Sequence, residues 1–263
     1  MSSLVNAWRS CRRRLYELVR VTKTVKTQSI VSALSGLVAA GGETRGATLL
    51  HLRGYPDSII LRNGSSDFDV FRQVFLLEQY ECLESNDVRY IVDAGANVGL
   101  TSLYFLNRYP HAHVIAIEPD VQNFDVAARN LRAFSSRCHI VNAGIWSEDT
   151  TLAVVRGDYR DGRHWATQTL PRVDGNDEGI PVFHLQTLLN RYGFPRVDLL
   201  KVDVEGAEDA VFRNGDTSFL KTTSSCAVEC HGPECTEAFE CAAARYGFRL
   251  RRVGELSLAE RPA

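Results

Sequence analysis

The sequence has no apolar run long enough to cross a bilayer. Its longest stretch without a charge, Thr27 to Gly42, is 16 residues and contains Thr, Gln, Ser and Gly. A spanning helix needs roughly 20 mostly apolar residues. It also has little net charge. The formal value of −2 removes the strongest argument for non-specific nucleic-acid binding. It has no CxxC pair among its seven cysteines, so we expect small buried hydrophobes rather than a zinc site. Seven is an odd number, and no N-terminal signal pattern precedes them, so at least one thiol stays unpaired within the chain. We read a reducing, cytoplasmic compartment. Internal repeats and long low-complexity tracts are absent.

What is present is a soluble composition. Hydrophobic residues make up 44% and charged residues 24% of 263. That length suits one large α/β domain and is tight for two. The charge is unevenly placed. Residues 1–30 hold seven basic groups (Arg9, Arg12, Arg13, Arg14, Arg20, Lys23, Lys26) against Glu17, a net +6 that leaves −8 for the rest. Leu4, Trp8, Cys11, Leu15 and Leu18 form one helical apolar stripe beside those arginines. Such a helix packs on the domain or on a second subunit, or lies on an acidic membrane surface. We therefore divide the chain into a basic helical extension, residues 1–45, and a main domain, residues 46–263.

The main domain opens with short strands at Thr48–Leu52 and Ser58–Leu61. Turn chemistry at Asn63–Asp67 then leads into a helix from about Asp69 to Glu81. A regular alternation follows. Strands are predicted at Arg89–Ala94, His113–Ile117, His139–Ile145, Val197–Val202, Ser225–Glu229 and Phe248–Val253. Helices are predicted at Leu100–Asn107, Val121–Phe134, Ala207–Arg213 and Cys235–Tyr246. Residues 147–183 interrupt the rhythm with short strands and a polar loop. This pattern implies a doubly wound, mostly parallel α/β sheet with helices on both faces. Right-handed crossovers place the carboxyl ends of the strands on one rim, where ligands bind.

That rim carries the chemistry. The first strand runs Tyr90-Ile91-Val92-Asp93-Ala94 into Gly95-Ala96-Asn97-Val98-Gly99. Gly95 permits a tight turn with no Cβ in a ligand's way. Asn97 stands where many nucleotide folds have a second glycine, and Asn tolerates left-handed dihedrals best among the other residues. The helix start then aims free N–H groups at a ligand anion. Glu118 ends the next strand, 25 residues after Asp93, where an acid accepts hydrogen bonds from ribose hydroxyls. Trp146 follows the third strand and either stacks on a base or belongs to the core.

The fourth strand, Asp198-Leu199-Leu200-Lys201-Val202-Asp203, places a lysine inside an apolar run, and a buried lysine needs a partner. Glu205, Gly206 and Glu208 follow. The fifth strand ends in Glu229, with His231 two residues on. Lys201, Asp203, Glu229 and His231 are the candidate base and anchor groups. Asp203, Glu229 and His231 are also suitable oxygen and nitrogen donors for a divalent cation, but we assign no metal.

Three blocks of the sequence, in order, resemble the FkbM family of S-adenosylmethionine-dependent methyltransferases. They are Val92–Ser102, Ile117–Asp120 with Asn123-Phe124, and Asp198–Glu208; Val228-Glu229-Cys230-His231 also fits. The resemblance covers about residues 88–250. It implies a seven-stranded, Rossmann-like class I methyltransferase fold whose antiparallel last strand would be about Glu255–Glu260. It implies S-adenosylmethionine as cofactor, with Asp93, Gly95, Ala96, Asn97 and Gly99 at its methionine part and Glu118 at its ribose. The implied reaction is O-methylation of a hydroxyl on a small metabolite, sugar or glycan. The loop 147–183, with His164-Trp165, then covers the substrate.

Other readings share parts of this pattern. A nicotinamide-dependent oxidoreductase would use the same glycine turn and second-strand acid, but it does not require the acid-rich fourth-strand rim. A non-catalytic nucleotide-binding module would keep the fold alone. A nucleic-acid methyltransferase is disfavoured, because the fourth strand lacks an Asn/Asp-Pro-Pro-aromatic loop. Any membrane contact would run through residues 1–30, and the oligomeric state is open.

Overall fold

The computed structural model describes residues 16–17, 19–26, 30, 33–34, 46–83, 87–156, 167–170 and 179–262. The stripe Leu4–Leu18 and the pair His164-Trp165 lie outside them. Among the described residues, no helix is long and apolar enough to cross a membrane. The six described cysteines are all free, and Cys138, Cys226 and Cys235 are buried.

The chain forms two compact units, Met1–Leu83 and Glu84–Ala263. In the first, β1 (Ala47–His51) and β2 (Ser58–Arg62) pair antiparallel. Helix α1 spans only Asp67–Phe71 and widens into a π turn over Arg72–Leu76, shorter than the helix expected to reach Glu81. It also starts earlier. The buried Asp67 carboxylate accepts from the Arg62 backbone N–H and pairs with the Arg62 guanidinium at 2.8 Å, which fixes the helix start against β2.

The second unit is the layered sheet. Its elements are β3 (Tyr90–Ala94), α2 (Leu100–Arg108), β4 (His113–Ile117), α3 (Val121–Asn130), β5 (Cys138–Val141), β6 (Gly144–Ile145), β7 (Thr150–Arg156), β8 (Thr167–Leu170), β9 (Ile180–Phe183), α4 (Leu185–Arg191), β10 (Val197–Val202), β11 (Thr223–Glu229), α5 (Pro233–Arg245), β12 (Arg249–Val253) and β13 (Leu256–Glu260). Seven strands form one sheet in the order β12-β13-β11-β10-β3-β4-β5. The pairs β10–β3, β3–β4, β4–β5 and β10–β11 are parallel, whereas β13 runs antiparallel between β11 and β12. The chain moves outward from β3 in one direction, then returns to its other side with β10. The crevice therefore opens at the carboxyl ends of β3 and β10, the switch point of the sheet.

Burial explains why these strands read so clearly. Every residue of β10 is buried, as expected of a strand covered on both faces. Helix α3 begins where expected because Asp120 caps it, accepting from the N–H groups of Gln122 and Asn123. It ends at Asn130, and a separate 3-10 turn covers Arg132–Phe134.

Two expectations need correction. The third strand does not run through to Ile145. Asn142 donates its side-chain amide to the carbonyls of Glu118 and Pro119, and the Ala143 N–H turns back to Val141 O at 3.0 Å. The chain thus leaves the sheet, and Gly144-Ile145 pairs instead with Val182-Phe183 of β9 in a four-stranded sheet, β6-β9-β7-β8. The expected helix at Ala207–Arg213 is largely a π turn, Ala210–Asn214, which buries three successive residues, Ala210, Val211 and Phe212.

Phe239 of α5 is fully buried, and its ring centroid lies 5.0 Å from that of Phe212. The substitution Phe239→Ala should therefore cost about 3–5 kcal/mol of unfolding free energy. Chemical denaturation monitored by circular dichroism measures this; a loss near zero would contradict the packing described here.

Candidate active site

The glycine turn after β3 is shaped by what stands next to it. Gly95, Asn97 and Gly99 have φ of 77°, 49° and 80°, the left-handed region that favours Gly and then Asn. A Cβ on Gly95 would lie 1.7 Å from the Asp203 carbonyl oxygen. A Cβ on Gly99 would come within 2.9 Å of Leu131 and 3.2 Å of Ala127. The first glycine admits the rim of β10, and the second admits the residues of and just beyond α3. The Gly95 and Ala96 N–H groups both bond to Ile117 O, which ties the turn to the end of β4.

Glu118 sits beside this turn and is buried. Its carboxylate accepts from Asn97 N at 2.8 Å, Asp120 N at 3.0 Å and Asn123 Nδ2 at 3.3 Å. A carboxylate offers about four lone-pair sites, so room remains for one more donor on the crevice side. Burial pushes the Glu118 carboxyl up to about 7, against the pull of the Asp120 and Asn97 N–H groups.

A crevice opens at the strand ends beside Glu118. Gly95, Asn97 and Glu118 line one side, and Asp203, Val204 and Glu205 another. Ile117, Pro119, Ala143, Gly144 and Ile145 supply the apolar wall. Trp146 is half-buried, its backbone N–H donates to Phe183 O, and the crevice wall at that end is Gly144-Ile145 rather than the indole.

Asp93 and Lys201 lie beneath the turn. They are register partners on β3 and β10. Asp93 is fully buried and accepts from Ser102 Oγ at 2.6 Å. Lys201 Nζ donates to Gly95 O at 2.6 Å and Ala94 O at 3.3 Å, lies 3.2 Å from Asp93 Oδ1 and 3.7 Å from Asp203 Oδ2. Its ammonium is engaged by the turn, not presented to the crevice.

Asp203, Glu229 and His231 come together at the rim, and Glu205 and Glu208 join them. Glu205 holds φ at 50°, which turns its side chain back toward the strand ends. His231 Nε2 stands 3.5 Å from Glu205 Oε2, 3.7 Å from Asp203 Oδ1 and 3.9 Å from Glu229 Oε1. Its other nitrogen, Nδ1, is 2.7 Å from Glu208 Oε1. Burial opposes a charge on His231, but the hydrogen bond to Glu208 and the charges of Glu208, Asp203 and Glu205 outweigh it and raise the imidazole to about 9. Burial likewise works against ionised Glu208, yet His231 holds that carboxyl below its ordinary value. Glu229 is raised to about 7 by burial and by the Asp203 charge.

One ligand atom each from Asp203, Glu205 and His231 lies within 4.8 Å of the others. Acidic groups commonly gather in this way without an ion, and we assign none to this cluster.

Sequence reasoning did not give roles to Ser102, Asn123, Asn142, Glu205 or Glu208. Glu205 and Glu208 carried a signal, since both follow a rim strand at a spacing that returns them to it. Asn142 carried none, because its partners are backbone carbonyls 23 and 24 residues away.

Comparison with known proteins places the chain in a family. The chain is 29% identical over 178 residues to Methyltransferase 1 of Beauveria bassiana, covering 61% of this chain and 72% of that protein. It is 28% identical over 193 residues to methyltransferase sdnD of Sordaria araneosa, covering 62% and 74%. The crystal structure of Methyltransferase FkbM from Methylobacillus flagellatus KT superposes with a TM-score of 0.51 at 13% identity, over 95% of this chain and 59% of that one. This likeness speaks to the fold. A family model for the methyltransferase FkbM domain matches residues 93–250, from the rim end of β3 into β12. The chain therefore belongs to the FkbM methyltransferase family.

Proposed function

We propose that the protein methylates a hydroxyl group of a small metabolite, sugar or glycan, with S-adenosylmethionine as methyl donor. The observation that carries this reading is Glu118. It is a buried carboxylate with three protein donors and one remaining acceptor site, set in a crevice beside a side-chain-free turn. That is the arrangement a ribose hydroxyl requires. The apolar wall at Ile117, Ala143, Gly144 and Ile145 suits a flat base, and the small residues there leave it room. When bound, S-adenosylmethionine supplies an electrophilic methyl group on a positively charged sulfur.

The chain's own residues divide the work. Gly95, Ala96 and Asn97 shape the turn that receives the cofactor's methionine part, and Gly99 fixes the helix behind it. Asp93 and Lys201 hold that turn from below: Lys201 fixes the Gly95 carbonyl, which makes it a positioning residue rather than a base. Asp203 and Glu205 set negative charge on the side of the crevice toward which the sulfonium would face, and they orient the acceptor by hydrogen bonding. Glu229 Oε1 takes the acceptor's proton as the new C–O bond forms. S-adenosylmethionine, when bound, would supply the methyl and keep the C–S electron pair on its sulfur. A carboxyl near 7 suits that task, because a base works best with a pKa close to the operating pH.

Glu118 binds best as the carboxylate. Its pKa is raised to about 7, so affinity for S-adenosylhomocysteine should strengthen as pH rises through 7. Replacing Glu118 with Gln should weaken that affinity about 10–100-fold, the worth of a charge-assisted hydrogen bond, and remove its pH dependence. Isothermal titration calorimetry from pH 6 to 8.5 tests both. Unaltered affinity in the variant would sink the ribose assignment.

The Glu229→Gln change should lower kcat by about 10²–10⁴-fold and leave S-adenosylhomocysteine affinity within about twofold, because Glu229 stands at the rim beside Asp203, on the acceptor side and away from the Glu118 wall. In the wild type the rate should climb with pH up to about 7, as Glu229 gives up its proton. The assay is transfer of labelled methyl to a pooled metabolite or glycan extract, read by mass spectrometry as a gain of one CH₂. An equally active variant would exclude Glu229 as the base.

A further inference from the structure

Resting on that reading of the site, we propose that Glu208 is a positioning residue: it fixes His231 so that one Nε2–H donor faces Asp203, Glu205 and Glu229 together. The argument begins with burial. Glu208 is fully buried and His231 nearly so, yet neither is an apolar filler. A buried carboxylate needs a strong partner, and Glu208 has one in His231 Nδ1 at 2.7 Å, supplemented by the Val204 N–H at 3.3 Å. The two sit 23 positions apart, Glu208 at the helical start that follows the β10 turn and His231 after β11. Their bond therefore joins the two loops that form the acidic side of the crevice.

The bond also decides which way the ring faces. With Nδ1 committed to Glu208, Nε2 is the nitrogen left for the rim. It lies 3.5–3.9 Å from three carboxylate oxygens, so it sits at their centre without closing on any one of them. A third group that orients an imidazole by its second nitrogen is the logic of catalytic triads. Here the oriented ring is a fixed positive charge among carboxylates rather than a proton acceptor. Three acids gathered this closely repel one another, and the Nε2–H between them offsets that repulsion.

The charged and titratable surroundings of His231 are few. Asp203, Glu205 and Glu208 face it from the segment after β10, and Glu229 from the end of β11. Behind them, Lys201 adjoins Asp203, Cys230 and Cys235 adjoin Glu208, and Glu255 adds its charge to Glu229. Only His231 supplies a cation between Glu208 and the other three acids among the described residues.

The experiment begins with the wild-type protein alone. Imidazole ¹⁵N resonances of His231, assigned by comparison with a His231→Gln variant, should show both nitrogens protonated at pH 7.5. An imidazole neutral at that pH overturns the proposal. In Glu208→Gln the titration midpoint of His231 should fall by about one to three units, the effect of losing an adjacent opposite charge. The acid limb of the kcat profile should move to higher pH, because Glu229 then loses its cationic neighbour. Affinity for S-adenosylhomocysteine should stay within about twofold. In a His231→Gln background the Glu208→Gln change should have no further effect on that limb. A folded Glu208→Gln protein with an unmoved His231 midpoint rejects the positioning role. The resonance measurement needs no acceptor, so it stands even if methyl transfer to a hydroxyl is not found. Conversely, the predicted resonances with no product from any extract would retain the Glu208–His231 device and discard the methylation reading.

Discussion

The site depends on how closely two strand ends approach. The Asp203 carbonyl at the rim of β10 occupies the space that a side chain at position 95 would fill. This contact brings the acidic segment after β10 to the edge of the turn after β3. Lys201 secures it from within the sheet, holding the Gly95 and Ala94 carbonyls while lying 3.2 Å from Asp93. The Asp203 N–H completes the junction by bonding to Ala94 O. Without the glycine the strands would have to part, and the crevice would lose one of its walls.

The electrostatics follow from that junction. Five acids, Asp93, Asp203, Glu205, Glu208 and Glu229, crowd the ends of three neighbouring strands. Two cations answer them. Lys201 is buried under the turn, and His231 is held at the rim. The division is spatial: Lys201 serves the backbone of the turn after β3, while His231 stands among Asp203, Glu205 and Glu229. Glu118 stands apart, balanced by backbone N–H groups and Asn123 rather than by a cation. Its raised pKa and that of Glu229 share one leading cause, burial, but only Glu229 has a carboxylate charge as the next contribution.

Much of this organisation was legible before any coordinates. Val197–Val202 reads as a buried strand because all six of its residues are in fact covered. Leu256–Glu260 falls within one residue of the last strand implied by the family resemblance, and it does insert antiparallel between β11 and β12. Helix α4 went unread although Leu185, Leu188 and Leu189 have helical spacing and are buried; it is two turns long and sits at the end of an irregular stretch. The break after Val141 was invisible, because an apolar run gives no notice of an Asn142 amide that bonds to carbonyls of another loop.

The sequence by itself determined the order of the elements, the glycine turn and the acids at each strand end, because periodicity and residue type act over a few neighbours. It also carried enough of the family pattern to indicate methyl transfer. Only the tertiary structure decided what those groups do to one another. Lys201 looked like a reacting group in the linear chain, yet its ammonium is taken up by carbonyls 106 and 107 residues away. Glu208 had no role in the linear chain, yet its carboxylate stands 2.7 Å from an imidazole nitrogen 23 positions away. Hydrogen bonding and charge act over a few ångströms of space, and folding sets those distances between residues that are far apart in the chain.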